Sequence, residues 1–451
     1  MDDEQIRRLR QHSSRLDTLD PDDLEGADLD AIAELVGDAS VVFLGESMHR
    51  VHEFIDLRHR LTRFLVERLG FTAVVMESGF AEGRLVDDWI TGRSTSPPRE
   101  VLQHGLTYHH GKSHETLDQL AWMRRHNLAA TRPLRFFGMD LPASAASARP
   151  AVVAALEMLD RYDPEYAARV RTDLLPMFDH LPPDDGGLAW AAVAISSYLA
   201  LGPDARHALT AAIGELAERI AARRPAVLAL AEAAGDPDAL HAVDFAARCA
   251  VVARHADAFL AAMVDAPGRR YPPANVRDLA MAENVRWVLD RHDRIVVVAA
   301  NGHIQRSPFH APPLVPEPQP TLGQHLAREL RGHSVVIGTT YGGGEAWLHG
   351  PRPDDAPGHS TPFVEALPEP APESLDAMIA RATIAPDDCL VVDLGAIRRD
   401  PLIAPSLAST RGTAHGPHLL TYDPAVAFDA VVHVGRVSPW HTWIDERGLT
   451  T

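Results

Sequence analysis

The chain has 451 residues, and its 43 lysine and arginine side chains stand against 62 aspartate and glutamate side chains, which gives a formal net charge of −19 at pH 7. This balance argues against nucleic acid and anionic membranes as partners, because clustered cations are needed to hold polyanions. With 46% hydrophobic and 23% charged residues, the chain has the composition of a folded globular protein. We expect a small-molecule substrate as its partner, while the composition leaves the oligomeric state open.

The cysteine count and the amino terminus predict where the protein works. Cys249 and Cys389 are too few for a disulfide framework and are not spaced like metal ligands. The first residues, MDDEQIRRLRQHSS, lack the apolar stretch of a secretory signal. No later run reaches the roughly 18 apolar residues of a membrane span. These features predict a cytoplasmic protein.

The first strong pattern along the chain is a strand, a helix and a second strand. Residues 40–44 (SVVFL) and 71–76 (FTAVVM) are short, β-rich apolar runs. The apolar residues between them fall on one face of a helix: Phe54, Leu57, Leu61, Phe64 and Leu65. We interpret this segment as a βαβ unit.

Five further runs predict strands at residues 134–138, 295–299, 334–338, 390–394 and 430–434. Most of these runs are continuously apolar, as expected when helices cover both faces of a parallel sheet. The predicted fold class is therefore α/β, with a mostly parallel sheet flanked by helices and a helical insertion subdomain.

The predicted insertion covers residues 144–266, where alanine-rich helical segments follow one another without a convincing strand. On this interpretation residues 1–143 and 267–451 form two parts of one catalytic core, and the insertion is a lid. Residues 350–372, rich in proline and acidic side chains, are expected to form a surface loop.

Candidate functional side chains follow the predicted strands. Ligands bind at the carboxyl ends of the strands of open parallel sheets, so these positions are expected to converge. One such side chain alone is more often a helix cap or a surface charge, but four strand ends at one edge favour an acid–base site. The candidates at these ends are Glu46, His49, His52, Glu77, Asp140, Asn301 and His303.

Several alternatives stay open from the residues alone. His52 either shares the cleft with His49 or packs elsewhere, and Arg58 joins them only if the helix starts irregularly. His109 and His110 are candidates for metal ligands, substrate contacts or a polar loop. We expect no cofactor, although the glutamates, aspartate and histidines can hold a divalent metal ion. The chain lacks the G-x-S-x-G, H-E-x-x-H and G-x-G-x-x-G motifs, which disfavours serine hydrolase, zincin and dinucleotide-binding interpretations.

The segment GESMHRVHEFIDLRHRLTRFLVERLGFTAVVMESG resembles the opening of the erythromycin esterase family, in which Gly-Glu-x-x-His-x-x-His-Glu-Phe precedes an arginine-bearing helix and a strand that ends in glutamate. The similarity continues through FFGMD at 136–140, RDLAMAENVRWVL at 277–289, VVVAANGHIQR at 296–306 and SVVIGTTYGGGEA at 334–346. It spans most of the chain.

The resemblance implies hydrolysis of a macrolide lactone, or related chemistry on a bulky natural product, in a cleft between an α/β core and helices. It implies that His49 is the general base, that Glu46 and Glu77 are its acidic partners, and that Arg58 and His303 complete the cleft. Such base catalysis contributes about 10²–10⁴-fold to a rate.

The chain departs from the family pattern at two places. Ala300 stands where the family commonly has a histidine in His-Asn-x-His, and Tyr108, His109 and His110 lie where the family tends to carry tryptophans. These departures keep two other functions open. One is a non-hydrolytic biosynthetic reaction, such as cyclisation, elimination or epimerisation, and the other is sequestration of a small molecule for self-resistance.

Overall fold

The computed structural model describes residues 1–181, 190–265, 275–311, 315–350 and 361–443. Its strands, in chain order, are β1 Ser13–Leu16, β2 Val41–Glu46, β3 Ala73–Gly79, β4 Arg135–Asp140, β5 Ile295–Ala300, β6 Phe309–Ala311, β7 Val315–Gln319, β8 Ser334–Tyr341, β9 Glu345–Gly350, β10 Thr361–Ala366, β11 Cys389–Asp393, β12 Gly412–His415, β13 His418–Thr421 and β14 Ala430–Val434.

The α-helices are α1 Asp3–Gln11, α2 Asp30–Val36, α3 His52–Leu69, α4 Gly83–Ile90, α5 Pro98–Gly105, α6 His114–Ala129, α7 Pro142–Ala145, α8 Arg149–Tyr162, α9 Pro164–Arg169, α10 Trp190–Ala200, α11 Gly202–Ala234, α12 Ala239–Asp265, α13 Val276–Leu289, α14 Asn301–Ile304, α15 Leu322–Leu326, α16 Leu375–Ala380, α17 Leu394–Arg399, α18 Ala404–Ala408 and α19 Pro424–Ala427. Short turns of 3-10 helix lie at Ala27–Leu29, His110–Lys112 and Leu175–Phe178, and a π-helical turn lies at Val170–Leu174.

One sheet organises the described part of the chain, with eight strands in the order β1-β11-β14-β8-β2-β5-β3-β4. The strands from β14 to β4 run parallel, whereas β11 is antiparallel to β14 and to β1. The predicted α/β fold with a mostly parallel sheet is confirmed. All seven sequence-predicted strands are present within a few residues of their expected ends.

The apolar runs form strands because both faces of the sheet are covered. Every residue of β3 and nearly every residue of β2 and β5 is buried. Helices α3, α4 and α6 pack on one face, where Leu57 and Leu61 contribute to the core, and α13 covers the other face with Met281 and Val285. This double cover accounts for the continuous rather than alternating hydrophobic pattern.

The described elements between β4 and β5 are helical. The long helices α11 and α12 pack on each other and α12 also packs on α8, with a separate apolar core that contains Leu156, Ile213 and Cys249. The division of the chain at residues 143 and 266 stays a prediction. None of the described helices is long and apolar enough to cross a membrane.

The expectation of a surface loop at 350–372 is wrong in part. Thr361–Ala366 forms β10, which pairs antiparallel with β9. The adjacent Phe363 and Val364 are residue types that favour strands. Residues 351–360 lie outside the described residues.

Candidate active site

Strands β2, β3 and β4 bring carboxylates to one edge of the sheet, where β5 lies between β2 and β3. Strand β2 pairs with β5 so that Glu46 lies opposite Ala300, and β3, which carries Glu77, is the next strand across. Asp140 ends β4 beside the end of β3. Glu46, Glu77 and Asp140 therefore lie at one edge of the sheet, as expected for residues at the carboxyl ends of parallel strands.

His49 lies in the loop between β2 and α3, and its Nδ1 is 2.6 Å from Oε1 of Glu46. Burial alone would raise the pKa of Glu46, but the hydrogen bond with His49 and the charge of Arg58 outweigh burial and lower that pKa below its usual value. Glu46 is thus an ionised acceptor, which favours a proton on Nδ1 of His49. The other ring nitrogen, Nε2, lies 3.9 Å from Oε1 of Glu77.

Glu77 is buried and receives donors from three directions. The backbone N–H of Ala300 donates to Oε2 at 2.8 Å, while Nη2 of Arg277 and Nε2 of His303 approach Oε1 at 2.7 and 3.2 Å. Burial opposes ionisation of Glu77, yet the charges of His303 and Arg277 hold its pKa well below its usual value. Glu77 is a fixed carboxylate at neutral pH.

Arg277 connects two of the strand-end acids. Its Nε lies 3.0 Å from both carboxylate oxygens of Asp140, and its Nη2 lies 2.5 Å from Oδ2. Asp140 has no exposed surface. Asp140 therefore holds the guanidinium of Arg277 in place, and Arg277 in turn reaches Glu77.

His303 follows β5 on the short helix α14, and its Nδ1 is 3.0 Å from Oδ1 of Asp278. Burial would lower the pKa of His303, but the carboxylates of Asp278 and Glu77 outweigh burial and raise it to about 10. His303 is consequently an imidazolium at neutral pH, which makes it a donor and a positive charge rather than a base.

Arg58 is buried, and its Nη1 lies 3.8 Å from Oε2 of Glu46. Its Nε donates to the side-chain oxygen of Gln119 at 3.2 Å. Helix α3 begins at His52, so His49 lies before the helix. The positions of His49 and Arg58 are therefore not related by helical periodicity, and both can reach Glu46. The arginine contacts the acidic partner of His49, and this contact lowers the pKa of Glu46 further.

His110 approaches His49 from the turn before α6, with their rings edge to face and 5.0 Å between centroids. Burial, supported by the neighbouring His49, lowers the pKa of His110 to about 3, so its ring is neutral. Its Nε2 is buried and has no hydrogen-bond partner among the described residues. Of the two histidines left open by the sequence, His110 is the one that stacks against His49.

Tyr108 and His109 have left-handed backbones, with φ of +55° and +65°. The ring of Tyr108 lies under the guanidinium of Arg277 at 5.0 Å, and its backbone N–H donates to Ser144 at 3.0 Å. Ser144 is also left-handed, with φ of +53°. Strained backbone of this kind clusters at ligand sites. Tyr108, His109 and Ser144 line a cavity of about 470 Å³, and Glu46, His49 and Glu77 are not part of its lining.

Two predicted site residues make other contacts. His52 turns away from His49, because it is the first residue of α3, and its Nδ1 lies 2.8 Å from Glu115. Asn301 is buried and exchanges two hydrogen bonds with the backbone of Thr339, at 2.7 and 3.1 Å. A Cβ atom on Gly45 would lie 2.2 Å from the side-chain oxygen of Asn301, so glycine is required at that position.

Sequence reasoning did not assign roles to Arg277 or Asp278. Both lie in the first turn of α13, which packs against β4, and both reach the cleft from outside the strand ends. The only sequence signal was their place in the segment 277–289, which carries the family resemblance. For Tyr108, the sequence signal is its departure from the family pattern.

Together, the fold and this cluster define an α/β protein with a group of histidines and carboxylates at the carboxyl edge of a parallel sheet. The model of the erythromycin esterase family matches residues 66–437, which is most of the chain. The chain belongs to the erythromycin esterase family, and the resemblance inferred from the sequence is confirmed. The segment from Gly45 to Glu53 precedes the matched range.

Curated relatives align with part of the chain. Erythromycin esterase type II from Escherichia coli is 37% identical over 123 residues, which cover 27% of this chain and 28% of that protein. Erythromycin esterase type I from Escherichia coli is 28% identical over 124 residues, which cover 28% of this chain and 29% of that protein. The chain therefore spans less than a third of the length of either relative in these alignments.

Solved structures share the fold over almost the whole chain. A crystal structure of a Bacillus cereus protein has a TM-score of 0.74 at 20% identity and covers 97% of this chain and 98% of its own. An erythromycin esterase mutant in its open conformation has a TM-score of 0.75 at 20% identity, with 96% and 99% covered. A succinoglycan biosynthesis protein has a TM-score of 0.72 at 18% identity, with 97% and 98% covered.

Proposed function

We propose that this protein hydrolyses a lactone ester of a macrolide or a related bulky natural product, with a water molecule activated by His49. The observation that carries the proposal is the hydrogen bond of 2.6 Å between His49 and Glu46, which leaves Nε2 of His49 directed toward Glu77 at 3.9 Å. The names of the two Escherichia coli relatives supply the substrate class.

The base in this reaction is neutral His49. Ionised Glu46 keeps the proton on Nδ1 and stabilises the imidazolium that forms when Nε2 accepts a proton from water. The separation of 3.9 Å between Nε2 and Glu77 leaves both groups within reach of one water molecule. Arg58 contacts Glu46 rather than the cleft, so we assign it to positioning of that carboxylate.

Water attacks the ester carbonyl carbon as His49 takes a proton, and negative charge develops on the carbonyl oxygen. We assign the stabilisation of that oxyanion to the imidazolium of His303 and the guanidinium of Arg277, which approach the same oxygen of Glu77, Oε1, as Nε2 of His49 does. Collapse of the tetrahedral intermediate breaks the ester bond, and the imidazolium of His49 gives its proton to the departing alkoxide. The products are an alcohol and a carboxylic acid, which releases its proton to solvent and becomes a carboxylate.

The remaining predicted residues take different parts in this proposal. His110 and His109 contact substrate at the edge of the cavity, because His110 presents a buried ring beside His49 and His109 lines the cavity wall. Asp140 positions Arg277, and Asn301 fixes the end of β5 against β8. His52 acts outside the cleft.

We propose that the reaction needs no cofactor, since His49, Glu46 and the two cations account for each proton and charge. A divalent ion held by Glu46, His49 and His110 is the alternative, because their ligand atoms lie within 4.8 Å of one another. Chelator treatment followed by elemental analysis and an activity assay separates the two. Activity that disappears with the metal and returns on adding it would contradict the cofactor-free reaction.

The experiment for the function is incubation with erythromycin followed by mass spectrometry. Hydrolysis adds the mass of one water to the macrolide. The variant His49→Ala is expected to form no product, while the control His207→Ala, an exposed side chain on α11, keeps full activity. A product of unchanged mass would instead indicate an isomerising reaction, and tight binding in calorimetry with no product would indicate sequestration.

A further inference from the structure

A second histidine–carboxylate cluster lies outside the cleft. It contains His52 at the start of α3, Glu115 in the first turn of α6 and His441 in the segment that follows β14. We infer that His52, Glu115 and His441 bind one divalent transition-metal ion of the Zn²⁺ class. The hydrolytic proposal uses none of these three side chains.

The three side chains already point at one place. Nδ1 of His52 and Nδ1 of His441 each lie 2.8 Å from the same oxygen, Oε1 of Glu115, and the two rings meet edge to face at 4.7 Å. The ligand atoms of the trio lie within 4.8 Å of one another. The second oxygen of Glu115, Oε2, is buried without a hydrogen-bond partner among the described residues.

Two imidazole nitrogens and one carboxylate are a donor set that suits Zn²⁺ and its neighbours among the transition metals. The opposite nitrogen of His52, Nε2, lies 3.3 Å from Asp56. In metal sites a carboxylate commonly accepts the second N–H of a ligating histidine and fixes the ring orientation. Asp56 is placed for that outer role if Nδ1 binds the ion.

The space needed for an ion is small. Tetrahedral coordination with metal–ligand distances of about 2.0–2.1 Å separates neighbouring ligand atoms by about 3.3 Å. The present contacts of 2.8 Å therefore have to open by only about 0.5 Å. The side chain of His441 is 67% exposed, so solvent rather than packed protein surrounds most of it. Its exposure also leaves the fourth position to water.

The surrounding backbone explains what the ion would do. In the segment 439–442, Pro439 forms a β-bridge with Val51, and Thr442 forms one with Ser113. The N–H of Trp440 donates to the carbonyl of Arg50 at 3.0 Å. This segment therefore fastens the residues just before α3 to those just before α6. A bound ion would add a coordination link between the same three parts of the chain.

The test is titration of chelator-treated protein with Zn²⁺, followed by Co²⁺ as a spectroscopic substitute. We expect one Zn²⁺ per chain, a rise in the thermal midpoint, and visible absorption bands of four-coordinate cobalt. His441→Ala is expected to weaken Zn²⁺ binding at least 100-fold and to abolish the bands. The exposed-histidine control His207→Ala is expected to bind like the unaltered protein.

The variant His110→Asn distinguishes this cluster from the cleft. Retention of the ion in His110→Asn together with its loss in His441→Ala supports the inference. Binding that persists in His441→Ala and disappears in His110→Asn would overturn it, as would the absence of stoichiometric binding by unaltered protein. Circular dichroism of metal-free His441→Ala shows whether the variant is folded; if it is not, Glu115→Gln takes its place with the same expected loss.

Discussion

Removing the positive charge of Arg277 tests whether the cleft is held together by its ion pairs. In Arg277→Met, a side chain of similar length replaces a guanidinium that contacts both Asp140 and Glu77. The two carboxylates are almost completely buried, with exposed fractions of 0% and 3%. They would keep their negative charges without the cation, or take up protons at a cost in free energy.

The expected loss can be estimated from this geometry. Breaking one buried ion pair by removing a partner costs about 3–5 kcal/mol, because the other charge is left uncompensated. Two carboxylates are affected here, but the side chain of Arg277 is itself 20% exposed, so water can reach part of the vacated space. We therefore expect Arg277→Met to lose about 3 kcal/mol of unfolding free energy.

Urea unfolding at pH 7, followed by circular dichroism, measures this loss. The matched control is Arg286→Met on the same helix, since Arg286 pairs with Glu329 at the surface and should change stability by less than about 1 kcal/mol. Adding Asp140→Asn to Arg277→Met should recover part of the loss by removing one stranded charge. Equal stability of Arg277→Met and Arg286→Met would refute this electrostatic account of the cleft.

The remaining predictions concern turnover of the lactone. His49→Ala should lower kcat by about 10²–10⁴-fold with unchanged circular dichroism, and near-normal kcat would contradict its role as base. Glu46→Gln should lower kcat by about 10²-fold, since the amide still accepts a hydrogen bond but no longer stabilises the imidazolium; an unchanged rate would show that this charge is unimportant. Because the pKa of His303 is raised to about 10, its positive charge is present below that pH, and kcat/KM should fall as pH rises through 10. Asp278→Asn removes one carboxylate that raises this pKa, so the fall should move to lower pH, and an unmoved profile would assign the titration to another group.

The parallel core was predictable because strands buried on both faces are continuously apolar. The same pattern does not record direction, so the run at 390–394 gave no sign that β11 lies antiparallel to β14. Strand β1 was missed because Ser13–Leu16 is short and its burial is confined to its last residue. Such edge strands depend on pairing partners rather than on their own hydrophobicity.

The site residues that could be predicted are those at the carboxyl ends of strands. Glu46, Glu77 and Asp140 were located this way, because parallel strands end at one edge whatever the packing of the helices. The different directions of His49 and His52 depend on where α3 starts, which the spacing alone left open. Arg277 reaches Glu77 from a helix across the cleft, and only the packing of α13 on β4 makes that contact.

At Ala300, the backbone contacts the site. The position lacks the imidazole that the family commonly has, and its backbone N–H donates to Glu77 at 2.8 Å. His110 lies beside His49 from another part of the chain. The cleft therefore combines the strand-end acids of the family pattern with an imidazole that the linear motif does not contain.

The most direct measurement of the central claim is the mass of the product formed from erythromycin in heavy-oxygen water. If His49 activates water to open the lactone, the product gains one molecule of labelled water, with the label in the new carboxylate, and His49→Ala forms none. A product without the label, or equal product from His49→Ala, would contradict the proposed reaction.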